Sequence, residues 1–408
     1  MGDFHQNGKV ANLHHFSTGS SEQLERQLVE FSQTRKISLI LPSLFSELEG
    51  PALANILDEL SQAKFINQVI IGLDRADEEQ YRYAKRYFSR LPQEHSVLWN
   101  DGPRLMAIDA RLKELGIAPN EPGKGRNVWY CMGFALADQS SDVVALHDCD
   151  ILTYKKDMLA RLVYPVANPD FSYQFCKGYY PRIADGKLNG RVTRLLVSPL
   201  LIALRKLIGD NQYLEYLQAF RYPLAGEFAM RTYMLPDIRI PSDWGLEIGV
   251  LSEVHRNLSP KAVCQTEIAD IYDHKHQPLS EEDATQGLSR MSTDIAKALY
   301  RKLAIDGVIF SGEFFRTLKA TYLRVSLDMV ETYYNDAIMN GLHTDRHEEE
   351  RACELFAANI VEAGAAYLDN PMETPFIPNW SRVSAADRDL LRHFHEAVTL
   401  DNADYAPK

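Results

Sequence analysis

The sequence predicts an α/β fold: a doubly wound, mostly parallel sheet flanked by helices, followed by a helical C-terminal extension. Three observations carry this. Short apolar runs alternate with segments of helical periodicity through the first 150 residues. The apolar run Asp142–His147 stops at Asp148-Cys149-Asp150, an acidic pair at a strand exit. Residues 284–368 are almost entirely helical in pattern, with Gly307 and the pair Ser311-Gly312 separating one helix from the next.

Taken in order, Met1 to Ser20 is polar, has no apolar signal-peptide core and reads as a loose tail. Residues 36–42 form a first strand ending at Pro42. A helix follows from about Pro51 to Ala63, with Leu53, Ile56, Leu57 and Leu60 at helical spacing and Pro51 in its first turn. Residues 68–73 are a second strand, Glu78 to Leu91 a helix and Ser96 to Trp99 a short strand. Arg104 to Leu115 is an inserted surface helix, and the loop 118–125 leads into a helix from about Asn127 to Ala137. The pattern from 190 to 220 is helical, and the tail beyond Asp369 is proline-containing.

The chain has 408 residues, 45% hydrophobic and 25% charged, an ordinary globular composition with room for a large core. A formal net charge of −12 argues against a general binder of nucleic acid or anionic membranes. No apolar run approaches the ~20 residues of a membrane span. The five cysteines are scattered and form no C-x-x-C, so neither a zinc site nor a disulfide framework is predicted, and a reducing cytoplasm fits best.

In a doubly wound sheet, ligands bind beyond the C-terminal strand ends. Asp148 and Asp150 stand at such an end. Residues two apart on an extended chain point the same way. Two carboxylates held together repel unless a cation or proton joins them, and hard oxygen ligands suit Mg²⁺ or Mn²⁺ carrying a diphosphate. The alternative is a polar strand exit. Gly123-Lys124-Gly125 before a helix allows close backbone approach and offers an ammonium to a diphosphate; the alternative is a flexible loop. Pro42, Ser43, Leu44 and Glu47 leave the first strand where a nucleotide base could rest. Asp74 and Asp77 leave the second, and Asp77 is favoured as a helix cap. Gly190-Arg191-Val192-Thr193 combines a guanidinium, a hydroxyl and a close-approach glycine, suited to a phosphate or carboxylate, with Arg194 read as a surface partner. Glu227 and Glu247 lie among small or apolar residues, where a carboxylate needs a partner such as a sugar hydroxyl or backbone amides. Asp273-His274-Lys275-His276 could complete a metal site or be a polar surface strand.

The order of these motifs resembles the glucosyl-3-phosphoglycerate synthases. It runs strand-Pro-x-Leu with a following Glu, Gly-Lys-Gly, Asp-x-Asp, Gly-Arg-Val-Thr, Pro-Leu-x-Gly-Glu, Gly-x-Glu-Ile-Gly, then a histidine segment ending Pro-Leu. The similarity spans about Ile37 to Leu279. It implies a GT-A type nucleotide-diphospho-sugar transferase fold over 35–300, with a nucleotide-sugar half to about 150 and an acceptor half to about 283. Residues 1–34 form a tail and helix, and 301–408 the extension. It implies retaining transfer of glucose from UDP-glucose or another nucleotide-diphosphate glucose to the 2-hydroxyl of 3-phosphoglycerate, aided by Mg²⁺ or Mn²⁺. By the same resemblance Asp150 and His274 ligate the metal, and Pro42, Ser43, Leu44, Glu47, Asp74, Gly123, Lys124, Asp148, Cys149 and Glu247 bind the donor. Gly190, Arg191, Thr193 and His276 hold the acceptor; Asp150, Lys124 and Glu247 are the catalytic set. Two positions depart from the family's usual residues: Tyr272 replaces a basic residue and His276 an asparagine. Other readings are a synthase using glycerate or mannose, a sugar nucleotidyltransferase, and a non-catalytic sugar-nucleotide binder. The extension could cover the site or build a homodimer.

Overall fold

The computed structural model describes residues 6–16, 20–119, 121–274, 287–371 and 376–407. Its strands are β1 (Ala11–Leu13), β2 (Ile37–Leu44), β3 (Gln68–Asp74), β4 (Glu94–Trp99), β5 (Val143–Leu146), β6 (Phe175–Tyr179), β7 (Ile183–Ala184), β8 (Lys187–Leu188), β9 (Phe228–Arg231) and β10 (Val263–Glu267). Eight of them form one sheet in the order β1-β10-β6-β9-β5-β2-β3-β4, while β7 and β8 make a separate hairpin. Within the large sheet β9 runs antiparallel to both its neighbours, and the other pairings are parallel.

Strand alternation builds two cores, one per face. Ile40, Ile70, Leu98, Val144 and Leu146 point to one; Leu39, Leu41, Val69, Ile71, Val143 and Ala145 point to the other. The second face is covered by the helices Pro51–Ser61, Glu78–Phe88 and Lys156–Ala167 through Leu53, Ile56, Leu57, Tyr81, Phe88 and Leu159. The first face is covered by Lys124–Asp138, Ser198–Ile208 and the C-terminal helices. Asp77 is a helix cap as expected: its side chain accepts from Gln80 N while Gln80 answers its backbone, a reciprocal capping box.

Two expectations about the N-terminal half change. The N-terminal segment is not wholly a loose tail, because Ala11–Leu13 adds a parallel edge strand to β10. Three residues have too little pattern to reveal such a strand. The first strand continues to Leu44, so Pro42 lies inside β2, beyond Ile40 where β5 stops pairing; a strand with one neighbour tolerates proline. The proline-containing tail of the helical extension carries the helices Trp380–Ala386 and Leu390–Asp404, in keeping with that expectation.

The extension begins with Gly287–Ile305, Gly312–Met339 and Arg346–Asp369, broken at Gly307 and capped at Ser311 as the pattern indicated. It clasps the β7–β8 hairpin: His343 N donates to Gly186 O at 2.7 Å. Arg194, expected at the surface, is buried instead. Its guanidinium grips Glu349 with both arms, at 2.6 and 3.2 Å. Pairing with an acid 155 residues away left no local sign in the sequence.

Candidate active site

The sheet's C-terminal edge opens into a cavity of about 390 Å³. The helix Lys124–Asp138 starts three residues earlier than the sequence indicated, which puts Lys124 in its first turn, behind Gly123. The two glycines are steric requirements. A Cβ on Gly123 would sit 2.3 Å from Ser242 O, and one on Gly125 would sit 1.9 Å from Pro241 O. That close approach brings the helix start against the segment leading to Glu247. Lys124 Nζ lies 2.6 Å from Asp148 Oδ1 and 3.1 Å from Glu247 Oε1. Burial disfavours the ammonium, but the charges of Asp148 and Glu247 outweigh it and hold Lys124 protonated.

The acidic pair divides its work. Asp148 meets Lys124, and Gly226 leaves it room, since a Cβ there would fall 2.5 Å from Asp148 Oδ2. Asp150 faces His274, with Oδ2 and Nδ1 3.6 Å apart. Their segments are stitched together. Ile151 bridges to His274, Leu152 N donates to Asp273 O at 2.9 Å, and Asp273 N donates to Thr153 Oγ1 at 3.1 Å. Burial works against ionisation of Asp150, but the hydrogen bond and charge of His274, with Lys124 behind, bring its pKa below the usual carboxylate value. No cluster of three or more His, Cys, Asp or Glu that could hold a metal occurs among the described residues. The pair still fits Mg²⁺ or Mn²⁺. Two donors each about 2.1 Å from a shared ion stand roughly 3–4 Å apart, and Mg²⁺ takes one or two protein ligands with the rest from phosphate and water.

Glu227 is fully buried. Tyr272 OH donates to its Oε1 at 2.5 Å and Tyr180 OH to its Oε2 at 2.7 Å, with the two phenol rings stacked 3.6 Å apart. Burial, then the charge of Asp148, raises its pKa despite those bonds. Its partners are tyrosine hydroxyls, not the backbone amides that were one sequence option. Glu247 lines the cavity and Glu227 does not.

Two of the acceptor candidates share this cavity. Gly190 (φ +76°) and Arg191 line the cavity. Thr193 is buried behind them, and its hydroxyl has no hydrogen-bond partner among the described residues. Around β2 and β3, Ser43 is buried, its hydroxyl donating to Leu44 O at 3.0 Å. Pro42, Leu44 and Glu47 are half-buried. Cys149 is in the core, its thiol pushed up by burial and the flanking aspartates. Asp74 closes β3 and accepts from Asn100 Nδ2 at 2.7 Å, with burial raising its pKa. His276 lies outside the described residues.

Residues that sequence reasoning passed over complete the site. Lys177, in the middle of β6, is fully buried, and its ammonium donates to Ala225 O. Burial pushes its pKa down to about 8. A lysine inside the run Phe-Cys-Lys-Gly-Tyr was the available signal. Arg182 and Lys187 on the hairpin, and Glu348 from the extension, also line the cavity. Nothing local marked them.

No family model matches the chain. The glucosyl-3-phosphoglycerate synthase of Persephonella marina is 43% identical over 404 residues, spanning 99% of this chain and 100% of that protein. The synthase of the same name from Methanococcoides burtonii is 38% identical over 411 residues, with 100% of both chains covered. Among solved structures, the Mycobacterium tuberculosis glucosyl-3-phosphoglycerate synthase bound to Mn²⁺, UDP-glucose and phosphoglyceric acid superposes with a TM-score of 0.54 at 23% identity. That match covers 74% of this chain and 89% of the other, and it is a likeness of fold.

Proposed function

We infer the chemistry of the cavity from one premise: the chain belongs to the glucosyl-3-phosphoglycerate synthase family. It is a glycosyltransferase of the GT-A type. It moves glucose, with retention of configuration, from a nucleotide-diphosphate donor to the 2-hydroxyl of 3-phosphoglycerate, with Mg²⁺ or Mn²⁺. One observation carries the residue assignment: a single cavity is lined by Lys124, Asp148 and Glu247 and also by Gly190 and Arg191. An ammonium flanked by acids and a separate guanidinium suit a donor diphosphate and an anionic acceptor respectively.

Pro42, Ser43, Leu44, Glu47 and Asp74 receive the nucleotide at the ends of β2 and β3. Lys124 meets the departing diphosphate, and Glu247 accepts from the glucose hydroxyls. Asp150 and His274 hold the divalent ion, which when bound supplies Lewis-acid neutralisation of the leaving charge. Arg191 and Gly190 take an anionic group of the acceptor, with Thr193 two residues on. Holding donor and acceptor side by side provides much of the rate. Both oxygens of Glu227 are engaged by tyrosines, and Glu247 is paired with Lys124. Neither is a ready nucleophile, which supports front-face attack, the acceptor hydroxyl passing its proton to the leaving phosphate oxygen.

No described helix is long and apolar enough to cross a membrane. A cytoplasmic homodimer is the finer reading, drawing on exposed Ile309 and Met339 of the extension; sedimentation of the purified protein as a monomer would remove the dimer. The decisive experiment offers purified enzyme a panel of nucleotide sugars with 3-phosphoglycerate or glycerate, with and without Mg²⁺, and identifies products by mass spectrometry. The expected product is glucosyl-3-phosphoglycerate, formed only with metal. Exclusive use of glycerate or of a mannose donor would redirect the assignment.

A further inference from the structure

The cavity wall around Arg191 is not an open basic pocket. Arg182, Lys187 and Arg191 supply cations, while Asp185 and Glu348 supply acids. Glu348 comes from the extension, in the first turn of the helix Arg346–Asp369. Its Oε1 lies 2.8 Å from Arg191 Nη2. The next residue, Glu349, is locked to Arg194 by the two-armed buried ion pair, and His343 anchors the same loop to Gly186. The helix start is therefore fixed on the 186–194 segment, and Glu348 is presented to Arg191 by a rigid support. The Glu348 side chain itself is 48% exposed, so it can swing to solvent without moving the helix.

We propose that Glu348 is a built-in competitor for the acceptor: it occupies Arg191 until an anion of higher charge displaces it, and so sets acceptor affinity and selectivity. This rests on Arg191 being the acceptor site. An incoming carboxylate of charge −1 exchanges one carboxylate for another on Arg191 and gains little. A phosphoglycerate brings two anionic groups to a wall that also carries Arg182 and Lys187, and it gains more. The contact thereby favours phosphorylated acceptors over glycerate. A partly exposed ion pair contributes modestly, so its removal should change affinity by about twofold to fivefold.

Glu348→Gln keeps the side chain's size and removes its charge. Steady-state kinetics on the full-length enzyme should show KM for 3-phosphoglycerate falling about twofold to fivefold, KM for the nucleotide sugar unmoved, and the preference over glycerate narrowed. Glu350→Gln, two residues on and paired outward to Arg346 at 3.0 Å, controls for a general effect on the helix and should leave acceptor KM unchanged. An unchanged or raised acceptor KM in Glu348→Gln overturns the proposal, a rise meaning that Glu348 only steadies Arg191. Absence of any glucosyl transfer by the unmodified enzyme would instead overturn the functional assignment beneath it.

Discussion

Lys177 is the residue whose environment and role are most at odds. A fully buried lysine in a central strand is costly, and here its hydrogen bond is to the carbonyl of Ala225, beside the Gly226 that makes room for Asp148. Burial lowers its pKa to about 8, against the opposing charges of Glu247, Glu227 and Asp148. In the unfolded chain the group titrates near ~10.4. Between about pH 8 and about pH 10.4 the unfolded state therefore binds more protons than the native one, and native stability rises with pH through that window. Lys177→Met lacks this dependence. Urea unfolding at about pH 7.5 and about pH 9.5 should show the unmodified protein gaining about 2 kcal/mol relative to the variant. A difference that stays constant would mean the amine keeps its proton when folded. At this scale the sequence disclosed the acids and Lys124, because each sits in a short motif at a strand or helix end. It hid Lys177 and Glu348, whose meaning comes only from what the fold sets beside them.

Elements explain how Lys124 is aimed. Its helix is braced from behind by the C-terminal helices, whose Trp380 stacks on Trp129 with ring centroids 4.1 Å apart. Trp380 Nε1 also donates to Trp129 O at 3.1 Å, and Trp129 Nε1 to Pro378 O at 2.9 Å. Gly133 is required beneath the indole, since a Cβ there would meet Trp380 Cζ2 at 1.9 Å. At the sheet edge, Asn402 bonds both N and O of Val97 in β4. The helix that carries Lys124 thus depends on residues about 250 positions downstream. Trp380 is almost fully buried, so Trp380→Ala should cost about 3–5 kcal/mol and raise donor KM by loosening Lys124. Denaturant unfolding and donor titration check both, and a loss below about 1 kcal/mol would show that the tail merely decorates the fold. The strands β2 to β5 and the long helices were legible through their apolar runs and helical spacing, whereas β1 and the strands after β5 were not read from the sequence. The helices Trp380–Ala386 and Leu390–Asp404 fall in the extension expected to be helical, but their bounds were not legible, since the first is short and follows three prolines, and the buried faces of both are defined by a distant partner.

Across the whole molecule, the cavity gathers residues from Lys124 to Glu348, and acids crowd around Lys124. Asp148, Asp150, Glu227 and Glu247 converge there, against Lys124 and the buried Lys177, whose hold on its proton is weakened by burial. A protein of net charge −12 adds no general attraction for an anionic donor. A divalent cation bound with the nucleotide resolves that conflict locally, so metal and nucleoside diphosphate should stabilise the protein together and weakly when apart. At about a hundred times the dissociation constant, bound ligand adds about 2.7 kcal/mol. For 408 residues, with an unfolding entropy near ~2.1 cal/mol/K per residue, this moves Tm upward by about 3 °C. Asp150→Ala should keep the ligand-free Tm within about 1 °C, because removing a partly exposed carboxylate at a strand exit costs the core little. It should also lose the joint Mn²⁺–nucleotide shift, and turnover with it. Thermal unfolding of both proteins with Mn²⁺ alone, nucleoside diphosphate alone and the two combined separates the cases. If Asp150→Ala retained the full joint shift, the cation would be held elsewhere and the pairing of Asp150 with His274 would be a structural clasp between the strand exit and the 271–274 segment.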